Sequence, residues 1–477
     1  MEYEIVLGLE VHVELSTESK IFCSCSAKFG GDPNEHVCPA CSGMPGMLPV
    51  TNQKVVELGI TAGLLTNCHI NRRNTFDKKN YYYPDLPAAY QITQFYAPIC
   101  VDGGVEIETS KGKKVIGIKQ IHMEEDAGKL VHDMWTDSSL VDFNRTSVPL
   151  CEIVSNPDFR SVEEVVAYLE RIRTLLRFGR VSDCRMEEGS MRADINISVR
   201  PVGETKLGVR TEMKNMNSIS AITRAIEYEA ARHIDAIERG TEELVQETRR
   251  WDDILGQSFS MRDKETAADY RYFPNPDIAP IIISDEWIEK ICESLPELPE
   301  IKRERYIEEF DLPEYDADLI TQSRTLCDLF EDTIAAGAAP RDVSGFILGE
   351  CMNALNRDGK TADDLVFAPE KLARIIALVS SEELTRQNAR KVFTAVYNED
   401  VDVDKYCSEN SLLTIFDDGI VKAVVLEVIE KNPKIVADYK GGKVKAFDAL
   451  FGQVMRVLRG TGNPTLIREL LNEELAK

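Results

Sequence analysis

The sequence contains no run of about 18 or more apolar residues, the length a helix needs to cross a bilayer. Its start, Met1 to His12, lacks the basic residues and long apolar stretch of a secretory signal, so a cytoplasmic protein with no membrane partner is expected. Excess positive charge is missing too. The formal net charge is -25, which excludes a protein that simply coats nucleic acid or anionic lipid; any polyanionic substrate must be met locally. There is no Gly-x-x-x-x-Gly-Lys-Ser/Thr phosphate loop and no kinase-type glycine loop with its partner motifs, so a nucleotide site must be built another way. No amidase-type nucleophile motif, fixed-period repeat or low-complexity tract is found.

The 477 residues exceed what one core can organise, about 250 to 300, so two or three domains are expected. An apolar fraction of 43% fits a folded chain. The first part reads as strands with interspersed helices. Ser161 to Phe178 is predicted helical: Ser161 and Glu164 have capping-box spacing, apolar residues recur at helical intervals and Gly179 follows as a stop. Ser218 to Arg239 is a second predicted helix. Pro296 and Pro299 mark a boundary, after which short amphipathic helices are predicted over Tyr306 to Phe310, Ala317 to Phe330, Ser344 to Leu355, Pro369 to Ser380 and Leu384 to Val396. A further break near Ser408 gives the expected division into 1–293, 294–407 and 408–477.

Several segments in the first part alternate with period two. Arg192, Asp194, Asn196, Ser198 and Arg200 share one face of a predicted strand; Glu10, His12 and Glu14 share another; Arg210, Glu212 and Lys214 a third; Gln120, His122 and Glu124 a fourth. Solvated antiparallel sheets also alternate. These faces, however, are rich in carboxylate, imidazole and guanidinium and poor in the threonines and lysines of an ordinary exposed sheet. Such a surface can hold Mg²⁺ through oxygen ligands and clamp phosphate through arginine, which is most of what phosphoryl transfer requires.

Of twelve cysteines, eight are scattered and read as small buried apolar residues in a reducing compartment. The other four, Cys23, Cys25, Cys38 and Cys41, form two close pairs separated by twelve residues. Four thiolates in one loop predict a closed, structural Zn²⁺ site, with His36 an alternative ligand in the same loop.

Long stretches resemble a known family. The segments Gly8-Leu9-Glu10-Val11-His12-Val13-Glu14-Leu15, Asp77-Lys78-Lys79-Asn80-Tyr81-Tyr82-Tyr83-Pro84-Asp85, His122-Met123-Glu124-Glu125-Asp126-Ala127-Gly128-Lys129 and Asp269-Tyr270-Arg271-Tyr272-Phe273-Pro274 closely resemble the B-subunit family of the aspartyl/glutamyl-tRNA(Asn/Gln) amidotransferases. Asp142-Phe143-Asn144-Arg145, Met186 to Asp194 and Gln246-Glu247-Thr248-Arg249-Arg250 match it as well, so the resemblance runs from end to end. It implies an α+β fold: a cradle-like antiparallel-sheet catalytic domain related to glutamine synthetase and guanido kinases, then an all-α helical domain and a helical tail. It also implies an amidase A subunit that makes ammonia from glutamine and a small C subunit. The chain itself would use ATP and Mg²⁺ to phosphorylate the side-chain carboxylate of Glu or Asp misloaded on tRNA(Gln) or tRNA(Asn), and ammonia would then displace phosphate.

On that resemblance and the strand faces, the expected catalytic set is Glu10, His12, Glu124, Glu125, Asp194 and Glu212. Glu10, His12, Glu125 and Asp194 would hold Mg²⁺, Arg192 and Arg200 would face phosphate, and Lys79 and Tyr81 would lie near the substrate or the ammonia path. From Lys434 to Arg459 there are six basic residues and only two acidic ones, reversing the sign of the whole chain. Lys440, Gly441, Gly442, Lys443 and Lys445 are expected to meet tRNA phosphate at a helix start, in what resembles the family's tRNA-binding tail.

Two rivals compete with this. A non-enzymatic, zinc-stabilised RNA-binding scaffold would account for the cysteines and the tail but not for the carboxylate faces. The archaeal-type Glu-tRNA-specific large subunit carries an inserted domain for which there is no room between Asp277 and Leu295.

Overall fold

Alternating apolar and polar side chains make Tyr3–Glu14 a single long strand, β1, whose Leu7, Leu9, Val11 and Val13 are at most 1% exposed. Burying each is worth roughly 1.5–3 kcal/mol, which pins the register and turns Glu10, His12 and Glu14 to the other face. The computed structural model describes residues 2–133, 138–263, 269–415, 418–443, 445–458 and 460–476, and divides into two units, Met1–Pro296 and Glu297–Lys477. Arg459, counted in the basic tail, lies outside the described residues.

In the first unit β1 is followed by β2 (His69–Ile70), β3 (Arg73–Asn74), β4 (Asp77–Asn80), β5 (Tyr90–Thr93), β6 (Cys100–Thr109), β7 (Gly112–Glu125), β8 (Lys129–Asp133) and β9 (Ser138–Asp142). Then come β10 (Pro149–Ser155), β11 (Met191–Pro201), β12 (Thr211–Lys214), β13 (Glu247–Asp252), β14 (Gln257–Asp263), β15 (Phe273–Pro274) and β16 (Ile281–Ile282). The helices are α1 (Gln53–Leu65), α2 (Val162–Phe178), α3 (Ile219–Arg239) and α4 (Asp285–Glu293).

Among the described residues nine strands form one sheet in the order β14-β13-β12-β11-β1-β10-β7-β6-β2, and β15-β4-β5 form a smaller one. The expectation of an antiparallel sheet needs one correction: β12 and β13 pair in parallel. The 21-residue helix α3 connects them and returns the chain in the same direction, the economical way to join parallel neighbours. The helix α1 packs on the apolar side of the sheet, where a Cβ on Gly59 would lie 3.3 Å from the Met123 sulfur. Glu124, the next residue along β7, therefore points to the other side.

The predicted helices of this unit form as capped units. The Ser161 side chain accepts from Glu164 N–H at the start of α2, although the Glu164 carboxylate takes Arg160 N–H and Lys114 instead of closing a capping box. Ser218 caps α3, and Gly240 ends it with φ 63°.

The second unit is helical. The element expected over Ala317 to Phe330 is two helices, Glu314–Ile320 and Arg324–Ala335, because Ser323 caps the second with its side chain. Pro299 opens the helix Pro299–Phe310 at its first turn, where a missing N–H costs nothing, and so does not interrupt it. The predicted Ser344 to Leu355 helix contains a π-helical turn, Ile347–Cys351. The last helices, Asp418–Lys431, Pro433–Lys440, Lys445–Val457 and Pro464–Ala476, share a core in which Val421, Val425, Leu450, Val454, Ile467 and Leu471 are fully buried. No helix among the described residues is long and apolar enough to cross a membrane.

Candidate active site

Five adjacent strands, β7, β10, β1, β11 and β12, bring the polar faces together. Register places His12 opposite both Glu152 and Arg192, Glu152 opposite His122, Glu10 opposite Asp194, and Asn196 opposite Glu212. A cavity of about 320 Å³ lies over them, lined also by Lys79, Thr93, Phe95, Lys214, Thr248, Tyr270 and Tyr272.

Two groups here could each hold a metal ion: His12, Glu124 and Glu152, and Glu10, Asp194 and Glu212, the donor atoms within each lying within 4.8 Å of one another. In the first, Glu152 lies 2.8 Å from His122 Nε2 and 3.4 Å from His12 Nε2, while Thr93 Oγ1 donates to Glu124 at 3.2 Å. Burial would draw both imidazoles' pKa values down, but the Glu152 and Glu124 carboxylates push His12 up to about 9 and His122 up to about 10. Burial would raise Glu152, yet the two histidines hold it well below the usual carboxylate range.

In the second group Asn196 Nδ2 donates to Glu10 at 2.9 Å, Thr248 Oγ1 to Glu212 at 3.0 Å, and Lys214 Nζ bridges Asp194 and Glu212. Burial, then Glu152 and Glu212, raise the Glu10 pKa. Carboxylates crowded around one lysine ammonium are short of positive charge. The oxygen-rich donor set fits a hard divalent cation such as Mg²⁺.

The strand β12 is held from behind. Thr211, on the opposite face from Glu212, lies 2.9 Å from His233 Nε2, and His233, Arg232 and Ser258 surround the fully buried Glu229.

Not every expected residue reaches the cavity. Glu125 is expected among the Mg²⁺ ligands, but strand alternation turns it to the opposite side of the sheet, where Ile92 N–H and Ser147 Oγ donate to it at 2.9 and 2.5 Å. Burial pushes its pKa up to about 7. It lines a separate cavity of about 210 Å³ with Cys23, Cys41 and Met44.

Arg192, expected to face phosphate, is tied to Asp126 at 2.7 Å and does not line the carboxylate cavity. Arg200 sits six residues along β11 from Asp194, ~20 Å at strand rise, and donates to Glu4 and to Thr205 O. Lys79 does line the cavity, its Nζ 4.7 Å from the Tyr270 ring, and Tyr81 packs edge-on to that same ring.

Glu152 is missing from the sequence-based set, and so are His122 and Lys214 as ligand-side groups. The signal for Glu152 is a single carboxylate alternating with Cys151 and Ile153 in an otherwise apolar strand, too little to distinguish without its neighbours.

The four cysteines converge: Cys23, Cys25, Cys38 and Cys41 bring their sulfurs within 4.8 Å of one another, without His36. Cys38 Sγ and Cys41 Sγ are 3.8 Å apart, the edge of a tetrahedron with Zn–S bonds of about 2.3 Å. The buried Lys20 ammonium lies 3.7 Å from Cys41 Sγ and donates to His36 O and Phe143 O. The residues present fit zinc.

In the second unit, Lys440 ends one helix, Gly441 caps it, Gly442 has φ 91°, and Lys445 begins the next. Lys440, Gly441, Gly442, Lys443 and Lys445 are all exposed, and Lys443 pairs with Asp438 at 3.0 Å.

Comparison with known proteins identifies the family. Residues 5–289 match the GatB/GatE catalytic domain family and residues 328–475 the GatB domain family. The chain is 52% identical over 475 residues to the B subunit of the aspartyl/glutamyl-tRNA(Asn/Gln) amidotransferase of Lachnoclostridium phytofermentans, covering 100% of this chain and 99% of the relative. It is 52% identical over 480 residues to the protein of the same name from Caldicellulosiruptor bescii, and 50% identical over 477 residues to that of Thermoanaerobacter pseudethanolicus, each pair covered in full. An α+β domain carrying a polar sheet face, a helical unit following it in the chain and full-length similarity to these relatives together place the chain in the family of aspartyl/glutamyl-tRNA(Asn/Gln) amidotransferase B subunits.

Proposed function

We propose that the carboxylate cavity phosphorylates the side-chain carboxylate of Glu-tRNA(Gln), Asp-tRNA(Asn) or both, and then amidates it. The observation that carries this is the pair of metal-capable groups, His12–Glu124–Glu152 and Glu10–Asp194–Glu212, side by side on one sheet face. A carboxylate resists ammonia because oxide is a poor leaving group. In the first step a substrate carboxylate oxygen attacks the γ-phosphorus of ATP and ADP leaves; in the second, ammonia attacks the activated carbonyl and inorganic phosphate leaves. Bound Mg²⁺ supplies neutralisation of phosphoryl charge during the first step.

The chain's own residues prepare that step. Glu152 and Glu124 orient His12 and His122, Asn196 and Thr248 fix Glu10 and Glu212, and Lys79 with Lys214 adds positive charge to a wall rich in carboxylates. Those lysines favour a negatively charged substrate where the carboxylates alone would repel it.

The same reading gives the chain an amidase A subunit as ammonia source and a small C subunit. It gives the first unit a cradle-like fold of the glutamine synthetase type, the four cysteines a structural zinc, and Lys440, Gly441, Gly442, Lys443 and Lys445 contact with tRNA phosphate. The setting would be the cytoplasm, where charged tRNA is made. The test is the three-subunit complex carrying Glu152→Gln: tRNA-dependent ATP turnover should be lost while glutamine hydrolysis continues. Undiminished transamidation would refute the assignment.

A further inference from the structure

The carboxylate cavity has one wall that phosphoryl transfer does not explain. Phe95 and Tyr272 lie face to face, ring centroids 4.2 Å apart and planes 10° from parallel, and Tyr96 stands at 85° to Phe95 with centroids 5.0 Å apart. Phe95 is 41% exposed and Tyr96 59%, so neither ring serves the core.

Their backbone is nonetheless firmly held. The fully buried Asp77 accepts from Phe95 N–H at 2.7 Å and from Tyr96 N–H at 3.0 Å, and the Tyr96 hydroxyl donates to Tyr272 O at 3.1 Å. On the other side, pairing of β15 with β4 anchors Phe273 and Pro274 immediately after Tyr272, and Arg271 just before it takes a left-handed φ of 46°. Two exposed rings and the half-buried Tyr272, rigidly positioned from beneath, offer flat area without the entropy cost of ordering on binding. Phe95 and Tyr272 share the cavity with Glu10, Glu124 and Glu152.

We propose that Phe95, Tyr96 and Tyr272 form a stacking platform for an adenine base, a subsite of the phosphorylation centre proposed above and resting on that reading. A planar base is the ligand chemistry such rings favour, because every base has a π-face to stack. Two substrates of the proposed reaction carry adenine, ATP and the 3′-terminal nucleotide of tRNA. The platform serves one of them.

The experiment uses the three-subunit complex with two probes: the triphosphate of 2-aminopurine riboside, and tRNA with 2-aminopurine at its 3′ end. Stacking quenches this base's fluorescence. One probe should be quenched by the wild-type complex, and Phe95→Leu, Tyr272→Leu or the less intrusive Tyr96→Ala should relieve the quenching. The KM for the matching substrate should rise about tenfold with little change in kcat. Tyr272→Phe, which keeps the ring, should behave as wild type. A rise confined to ATP assigns the platform to the nucleotide, and one confined to aminoacyl-tRNA assigns it to the tRNA end. Absence of quenching for both probes, with both KM values within about twofold of wild type in all three ring-deleting variants, would overturn the proposal. Glu152→Gln keeps the two failures apart: if it abolishes ATP turnover while the ring-deleting variants are silent, only the platform is lost. A wild-type complex that shows no tRNA-dependent ATP turnover removes the underlying reading as well.

Discussion

Among the described residues the cysteine cluster and the pair of groups on the sheet face could hold metal, and they are built in opposite ways. The cysteine cluster draws all four thiols from residues 23 to 41, within one loop, and leaves no donor position open. The sheet-face cluster draws carboxylates and imidazoles from five strands between Glu10 and Glu212, opens onto a cavity of about 320 Å³, and includes a lysine competing for the same carboxylates. A closed set of soft ligands suits a permanent structural ion; an open set of hard ligands suits an ion that works beside a substrate. The difference teaches that donor chemistry and closure together, more than the mere presence of potential ligands, separate a staple from an active centre.

The contrast is broken most severely at Glu152. Besides the loss expected in Glu152→Gln, His12→Ala should reduce tRNA-dependent ATP turnover by at least about 100-fold while glutamine hydrolysis by the complex persists, since that hydrolysis belongs to the proposed A subunit and uses no phosphorylated intermediate. Activity near wild type would show that the sheet face is ordinary polar surface.

Next comes the loop. Cys38→Ser should lower bound zinc, measured by elemental analysis of the purified complex, from one ion per chain towards none and should lower the melting temperature. The Mg²⁺ concentration giving half-maximal ATP turnover should stay as in wild type. A shift in that concentration would mean that the two clusters are not independent.

A smaller effect concerns the support behind β12. Burial would raise the Glu229 pKa, but His233 and Arg232 bring it down to about 2 from 4.5. A depressed carboxylate stabilises the fold above its unfolded pKa, so this contribution, about 3 kcal/mol, should be complete above pH ~5 and fade as pH falls towards 2. Denaturant titrations across that range should give a shallower acid slope for Glu229→Gln than for wild type. The smallest effect is expected at Arg200, whose partner Glu4 lies at the far end of the strand pair: Arg200→Ala should cost about 1 kcal/mol or less and leave the KM for ATP unchanged. A large rise in that KM would restore Arg200 to the phosphate site.

Period-two patterning correctly brought Glu10, His12, Asp194 and Glu212 to strand faces that prove to be neighbours, because strand geometry fixes which side chains share a face whatever the strand pairs with. The same rule, applied to Glu124 and Glu125 together, already separates them, since consecutive residues cannot occupy one face. Motif resemblance keeps both in the expected set. Arg192 has the correct face but spends its charge on Asp126, a partner contributed by the end of another strand.

By itself the sequence determined what depends on short spans: helix starts at Ser161 and Ser218, the thiol loop, the alternation of β1 and β11, and through its motifs the family. Only the tertiary structure decided what depends on strand order. Glu152 becomes the centre of the histidine cluster because β10 lies between β1 and β7, and Lys214 meets Asp194 because β12 lies beside β11. Local backbone geometry is encoded residue by residue, whereas which strands become neighbours is settled by closing loops of tens to hundreds of residues around a common core. No short window of sequence contains that information.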